Sequence, residues 1–97
     1  VRIISPKPLR DFYERHPDAE GPIRAWLREA RHATWKNAHD VKRQFGSVSI
    51  VGNDRAVFNL AGNKYRLVTL IRFDKELLYI RFIGKHSDYD RIDVHTI

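Results

Sequence analysis

Five histidines carry most of the acid–base chemistry open to this chain: His16, His32, His39, His86 and His95. None forms an H-x-H or H-E-x-x-H pair and no carboxylate cluster accompanies them, so neither a metal site nor a cofactor is expected. His16 falls on an apolar helical stripe, and His32 and His39 fall on polar surface. His86 is different. It follows a strand-like run, Gly84 and Lys85, and Tyr89 comes three residues later, on the same side of a helical turn. Imidazole titrates near neutral pH and serves as acid or base. A phenol beside cations can donate a proton or stack on a base. Lys64 and Arg66 lie two apart in an alternating segment, and such cations neutralise the charge of a pentavalent phosphate. Lys64, Arg66, His86 and Tyr89 together suffice for RNA cleavage without a metal, in which a 2′-OH attacks the adjacent phosphate. The same spacing also suits a helix-capping histidine and a packing tyrosine. No Ser-His-Asp arrangement, P-loop or Rossmann glycine pattern competes.

Two halves of different texture must position these residues. Residues 1–46 read as helical and residues 47–97 as mostly strand, which predicts an α+β domain with N-terminal helices on one face of a small antiparallel sheet. Arg2-Ile3-Ile4 reads as a short strand, and Ser5 is placed to cap a helix starting at Pro6. Leu9, Phe12, Tyr13 and His16 follow helical spacing, as do Ile23, Trp26, Leu27 and Ala30. The outer face of that second helix carries Arg24, Arg28, Arg31 and His32. Asn37 caps a short third helix that Gly46 stops. Strands are expected over Val48–Val51, Arg55–Ala61, Lys64–Phe73 and Glu76–Ile83, with Gly84 ending the sheet. The tail after Lys85 is polar, with one or two helical turns over His86–Arg91.

Strand alternation decides which charges meet. Tyr65, Leu67, Thr69, Ile71 and Phe73 form the more apolar set and should lie under the helices. Lys64, Arg66, Val68, Leu70 and Arg72 should face the other way. A two-residue Gly62-Asn63 turn sets Asn59 opposite Arg66 and Phe58 opposite Leu67. A two-residue Asp74-Lys75 turn sets Arg81 opposite Val68. Arg55, Asn59, Lys64, Arg66, Arg72 and Arg81 then share one face with Val68 and Leu70 among them. Such a face can be a solvated surface. An apolar floor with cationic walls also suits nucleotides.

Bulk properties point the same way. At 97 residues the chain has room for one domain, 1–97, and no separate cofactor-binding lobe. Eighteen Lys+Arg against twelve Asp+Glu give a net charge of +6, which favours a polyanionic partner. There is no cysteine, which excludes disulfides and thiolate zinc sites and fits a reducing cytoplasm. No secretory signal or membrane-spanning run is read.

The run Val57-Phe58-Asn59-Leu60-Ala61-Gly62-Asn63-Lys64-Tyr65-Arg66-Leu67-Val68 resembles the core strands of HigB-type toxins in the RelE superfamily. So do Tyr79-Ile80-Arg81-Phe82-Ile83-Gly84-Lys85-His86, Asp88-Tyr89-Asp90-Arg91-Ile92-Asp93, and, nearer the front, His16-Pro17-Asp18-Ala19-Glu20 and Arg24-Ala25-Trp26. The resemblance implies a RelE-like fold and a toxin paired with a helix-turn-helix, HigA-like antitoxin. It also implies metal-free mRNA cleavage on the ribosome. By the same resemblance Arg66 stabilises the phosphate, His86 is the acid/base group, and Tyr89 contacts a base or orients the phosphate. Lys64 joins them less directly, because relatives carry paired lysines where this chain has Phe58, Asn59 and Leu60. Asp90 is placed to orient His86 or to cap a turn. Arg72, Arg81, Lys85 and Arg91 are expected to contact RNA around the site. Arg24, Arg28 and Arg31 are expected to grip ribosomal RNA or to be a solvated helix face. A non-catalytic RNA-binding module is the alternative that charge and an open sheet face fit equally well.

Overall fold

A computed structural model describes residues 1–97. Its elements are β1 (Arg2–Ile4), α1 (Lys7–Arg15), a 3-10 turn (Pro17–Ala19), α2 (Glu20–Arg31), α3 (Ala38–Gln44), β2 (Ser49–Val51), β3 (Arg55–Leu60), β4 (Tyr65–Arg72), β5 (Leu77–Lys85) and α4 (His86–Tyr89). The five strands form one sheet in the order β1-β5-β4-β3-β2. Neighbours are antiparallel except β1, which runs parallel to β5 and makes the sheet mixed. This is a RelE-like α+β fold.

The helices bury their stripes against the face that alternation assigns to them. Leu9 and Phe12 of α1, Ile23, Trp26 and Ala30 of α2, and Val41 of α3 pack on Phe58, Tyr65, Leu67, Ile71 and Leu78. Tyr13, His16 and Leu27 are half-buried at the margins. Asn37 caps α3, its side chain accepting from the Asp40 amide at 3.0 Å. Ser5 does not cap α1. It takes a left-handed φ of 54° to turn the chain out of β1, and Pro6 fills the cap position without a side-chain bond.

The β3–β4 hairpin follows the expected register, with Asn59 opposite Arg66 and Phe58 opposite Leu67. Gly62 and Asn63 both have positive φ, as a two-residue turn matching strand twist requires. The β4–β5 hairpin keeps the register of a two-residue turn from Arg72–Leu77 to Thr69–Ile80 and departs from it beyond. Thr69 pairs with Ile80 but Val68 pairs with Phe82, so Arg81 is an additional residue in a β-bulge. The phase of β5 changes there. Phe82 and Gly84, not Ile83 and Lys85, share a face with Val68 and Arg66. Nor does Gly84 end the sheet, because β5 continues to Lys85, paired with Tyr65. No helix is long and apolar enough to cross a membrane.

Candidate active site

Arg66 leaves β4 opposite Gly84, on the face away from the helices. Its guanidinium donates to the Asn63 carbonyl at 3.0 Å and makes no ion pair, so its charge is not neutralised by a carboxylate. α4 begins directly after Lys85, at the same end of the sheet. It folds back over that face. A methyl group built on Gly84 would lie 3.4 Å from Asp88 Cβ and 2.6 Å from Phe82 Cζ. Glycine at this position therefore lets the Phe82 ring and α4 close over the strand beside Arg66.

Within α4 the His86 and Tyr89 rings lie 6.4 Å apart and nearly perpendicular, at 78°. One turn on, Asp90 Oδ2 lies 3.3 Å from His86 Nδ1. His86 is exposed and Tyr89 half-buried. Arg66, His86, Asp90 and Tyr89 thus gather at one end of the sheet. Together they offer a cation, an imidazole with a carboxylate at ion-pair distance, and an aromatic ring.

Lys64 sits differently. Its ammonium is bound by Asp18 in the 3-10 turn after α1, and the Tyr65 hydroxyl donates to the other oxygen of that carboxylate at 2.6 Å. The Asp18 hydrogen bond holds the lysine above its usual pKa, and the same bond holds the Tyr65 phenol above its own. The bonds from Lys64 and then Tyr65 hold the Asp18 carboxyl below the ordinary carboxylate range. Lys64 is thereby tied to the turn after α1. Behind it, the Tyr65, Phe12 and His16 rings pack with centroids 4.3 to 5.8 Å apart, tying the end of the hairpin to α1.

The other half of this face is not open. Residues 93–97 cross it, with the Ile97 carbonyl accepting from Arg55 at 2.6 Å and Arg81 at 3.2 Å. Asn53 donates to the His95 carbonyl at 3.1 Å. Val57 and Val68 are buried on this face, outside the helix-side core. Arg81 still points to this face, because the bulge turns it into a concavity with Leu70, Arg72 and Tyr79. Arg72 is exposed and lies 3.8 Å from Asp74. Lys85 and Arg91 flank α4, both exposed and without ion pairs. Arg24, Arg28 and Arg31 are exposed on α2, in the layer on the far side of the sheet from Arg66. No three His, Asp or Glu side chains converge.

Sequence reasoning missed Asp18, Phe82 and the tail's hold on Arg55 and Arg81. The motif His16-Pro17-Asp18 was a usable signal for Asp18, since Pro17 interrupts the helix and leaves the next side chain free to reach across.

The fold is that of a RelE-like α+β domain. The HigB toxin family, the RelE-like toxic component of a toxin–antitoxin system, matches residues 19–92, and the chain belongs to that family. Among its relatives, the mRNA interferase toxin HigB of Escherichia coli K12 is 27% identical over 93% of this chain and 88% of its own length. The mRNA interferases HigB of Escherichia coli O157:H7 and Shigella flexneri match with the same identity and coverage.

Proposed function

We propose that this chain is an mRNA interferase that cleaves messenger RNA on the ribosome, using the 2′-OH as nucleophile and no metal ion. The observation that carries the reading is α4 folded over Gly84, which brings His86 and Tyr89 to the end of the sheet where Arg66 presents an unpaired guanidinium. In the displacement, the 2′ oxygen loses its proton and bonds to phosphorus, and the bond from phosphorus to the 5′ oxygen breaks. The leaving oxygen takes up a proton. Arg66 stabilises the charge that accumulates on the phosphorane oxygens. His86, oriented by Asp90, moves a proton at one end of the displacement. Tyr89 stacks on a base or orients the phosphate. Lys64, bound to Asp18, holds the hairpin from which Arg66 emerges and adds positive potential. Arg72, Arg81, Lys85 and Arg91 line the approach of the strand, and Arg28 on α2 faces ribosomal RNA.

The test uses programmed ribosomes carrying an mRNA with one 2′-O-methyl nucleotide at the cut position. Cleavage of the unmodified message, to a 2′,3′-cyclic or 3′ phosphate and a 5′ hydroxyl, is expected, and the modified message should survive. Cleavage of the modified message, or intact RNA in both arms, refutes the reading. Salt-sensitive binding with intact RNA would instead support a non-catalytic RNA-binding module.

A further inference from the structure

On the helix layer, away from Arg66 and α4, α1 and α2 enclose a groove of about 710 Å³. We propose that this groove docks an acidic, amphipathic segment of the antitoxin polypeptide. The proposal rests on the chain's membership of a toxin–antitoxin family and not on RNA cleavage.

The groove has an apolar floor and a cationic rim. Pro8, Tyr13 and Leu27 lie along it, and Lys7, Arg10, Arg24 and Arg31 line it. The four cations are not equivalent. Lys7 is bound to Asp11 at 2.8 Å and Arg24 to Glu20 at 2.8 Å, each one turn along its own helix. Arg10 and Arg31 have no ion pair. They are exposed and belong to different helices, so their charge is available to a partner spanning the groove.

The floor distinguishes a peptide from RNA. A nucleic acid strand gains affinity by stacking bases on free aromatic faces. The one aromatic ring here, Tyr13, already carries the Arg24 guanidinium 5.3 Å from its centroid. Prolines and a leucine offer no stacking plane, but they do accept aliphatic side chains. A segment with apolar residues on one side and carboxylates on the other satisfies both floor and rim. Opposite charge across the contact would speed its association and exclude basic partners.

The experiment compares wild type with the Arg10→Glu variant, each co-expressed with its cognate antitoxin polypeptide and also purified alone. The side chain is exposed, so circular dichroism should be unchanged. Antitoxin affinity should fall by about tenfold and lose part of its salt dependence, as expected for a reversed rim charge. Cleavage of ribosome-bound message by the free variant should stay at the wild-type rate. The Arg10→Lys variant should retain antitoxin affinity. Unchanged antitoxin affinity in the Glu variant overturns the proposal. So does a loss of message binding or cleavage by that variant, which would assign the groove to RNA. Failure of the ribonuclease reading would show separately, as wild-type protein that leaves RNA intact yet still binds antitoxin.

Discussion

Gly84→Ala should separate the placement of α4 from the presence of its residues. The new Cβ would stand 2.6 Å from Phe82 Cζ, 3.2 Å from Phe82 Cε1 and 3.4 Å from Asp88 Cβ. Non-bonded carbons prefer about 3.5–4.0 Å, so the Phe82 ring tip must retreat by about 1 Å, whereas Asp88 Cβ stays in ordinary contact. Overpacking of this kind costs about 1–3 kcal/mol. Phe82 is only half-buried and its ring is free to give, which places the cost towards the lower end. In a chain of 97 residues a loss of ~1 kcal/mol lowers Tm by about 4–8 °C. Cleavage should fall to the extent that the displaced Phe82 ring pushes α4 out of place, by up to ~10²-fold for a misplacement of about 1 Å between Arg66 and the groups on α4. The assay is single-turnover cleavage of ribosome-bound message, beside thermal melts. Phe82→Leu in the alanine background removes the clashing ring atoms and should recover part of both losses, an interaction a double-mutant cycle measures. A Gly84→Ala protein that melts lower but cleaves at the wild-type rate would refute the claim that closure of α4 over this strand positions the site.

The remaining expectations follow from single contacts. Arg66→Ala should lower the single-turnover cleavage rate by about 10²–10³-fold with binding of the message largely retained. His86→Gln should cost about 10²–10⁴-fold and flatten the pH–rate profile near neutrality, and Asp90→Asn should show a smaller loss with a shifted profile. Lys64→Ala should reduce cleavage far less than Arg66→Ala, because its ammonium is already engaged by Asp18. Asp18→Asn should lower Tm at neutral pH. Since the folded carboxyl is held below its ordinary 3.8, wild type keeps this advantage above that pH, and the gap in Tm should close as pH falls below it. A gap that persists at pH 2 would show that the carboxylate charge is not what holds the hairpin.

Much of the fold is legible in local pattern. Tyr65, Leu67 and Ile71 alternate into the helix-side core, Gly62-Asn63 sets the first hairpin, and Asn37 caps α3. These depend on neighbours a few residues apart, where period and turn chemistry act. The bulge in β5 is not legible. Tyr79-Ile80-Arg81-Phe82-Ile83 carries large apolar residues in both phases, so little contrast between faces betrays an additional residue. The Asp18 contacts join residues 46 and 47 positions apart, and no local rule pairs them. The tail reads in sequence only as polar, yet its Ile97 carbonyl holds Arg55 and Arg81, and a backbone carbonyl leaves no mark in side-chain sequence. Of the gathered site residues, Arg66, His86 and Tyr89 came from alternation, helical spacing and family resemblance together. The role of Phe82 and Gly84 in bringing them close needed the bulge.

That bulge has a bearing on how such chains can change length. Arg66 pairs with Gly84 because the bulge takes up one residue that a regular ladder after the Asp74-Lys75 turn would not need. Deleting Arg81 alone would therefore leave Thr69 opposite Ile80, Val68 opposite Phe82 and Arg66 opposite Gly84, and would give up only the bulge and the bond from Arg81 to the Ile97 carbonyl. Deleting Ile83 would instead set Lys85 opposite Arg66 and put a long side chain where α4 now closes over bare backbone. Related chains should therefore shorten this hairpin by one residue at the bulge and not beyond it.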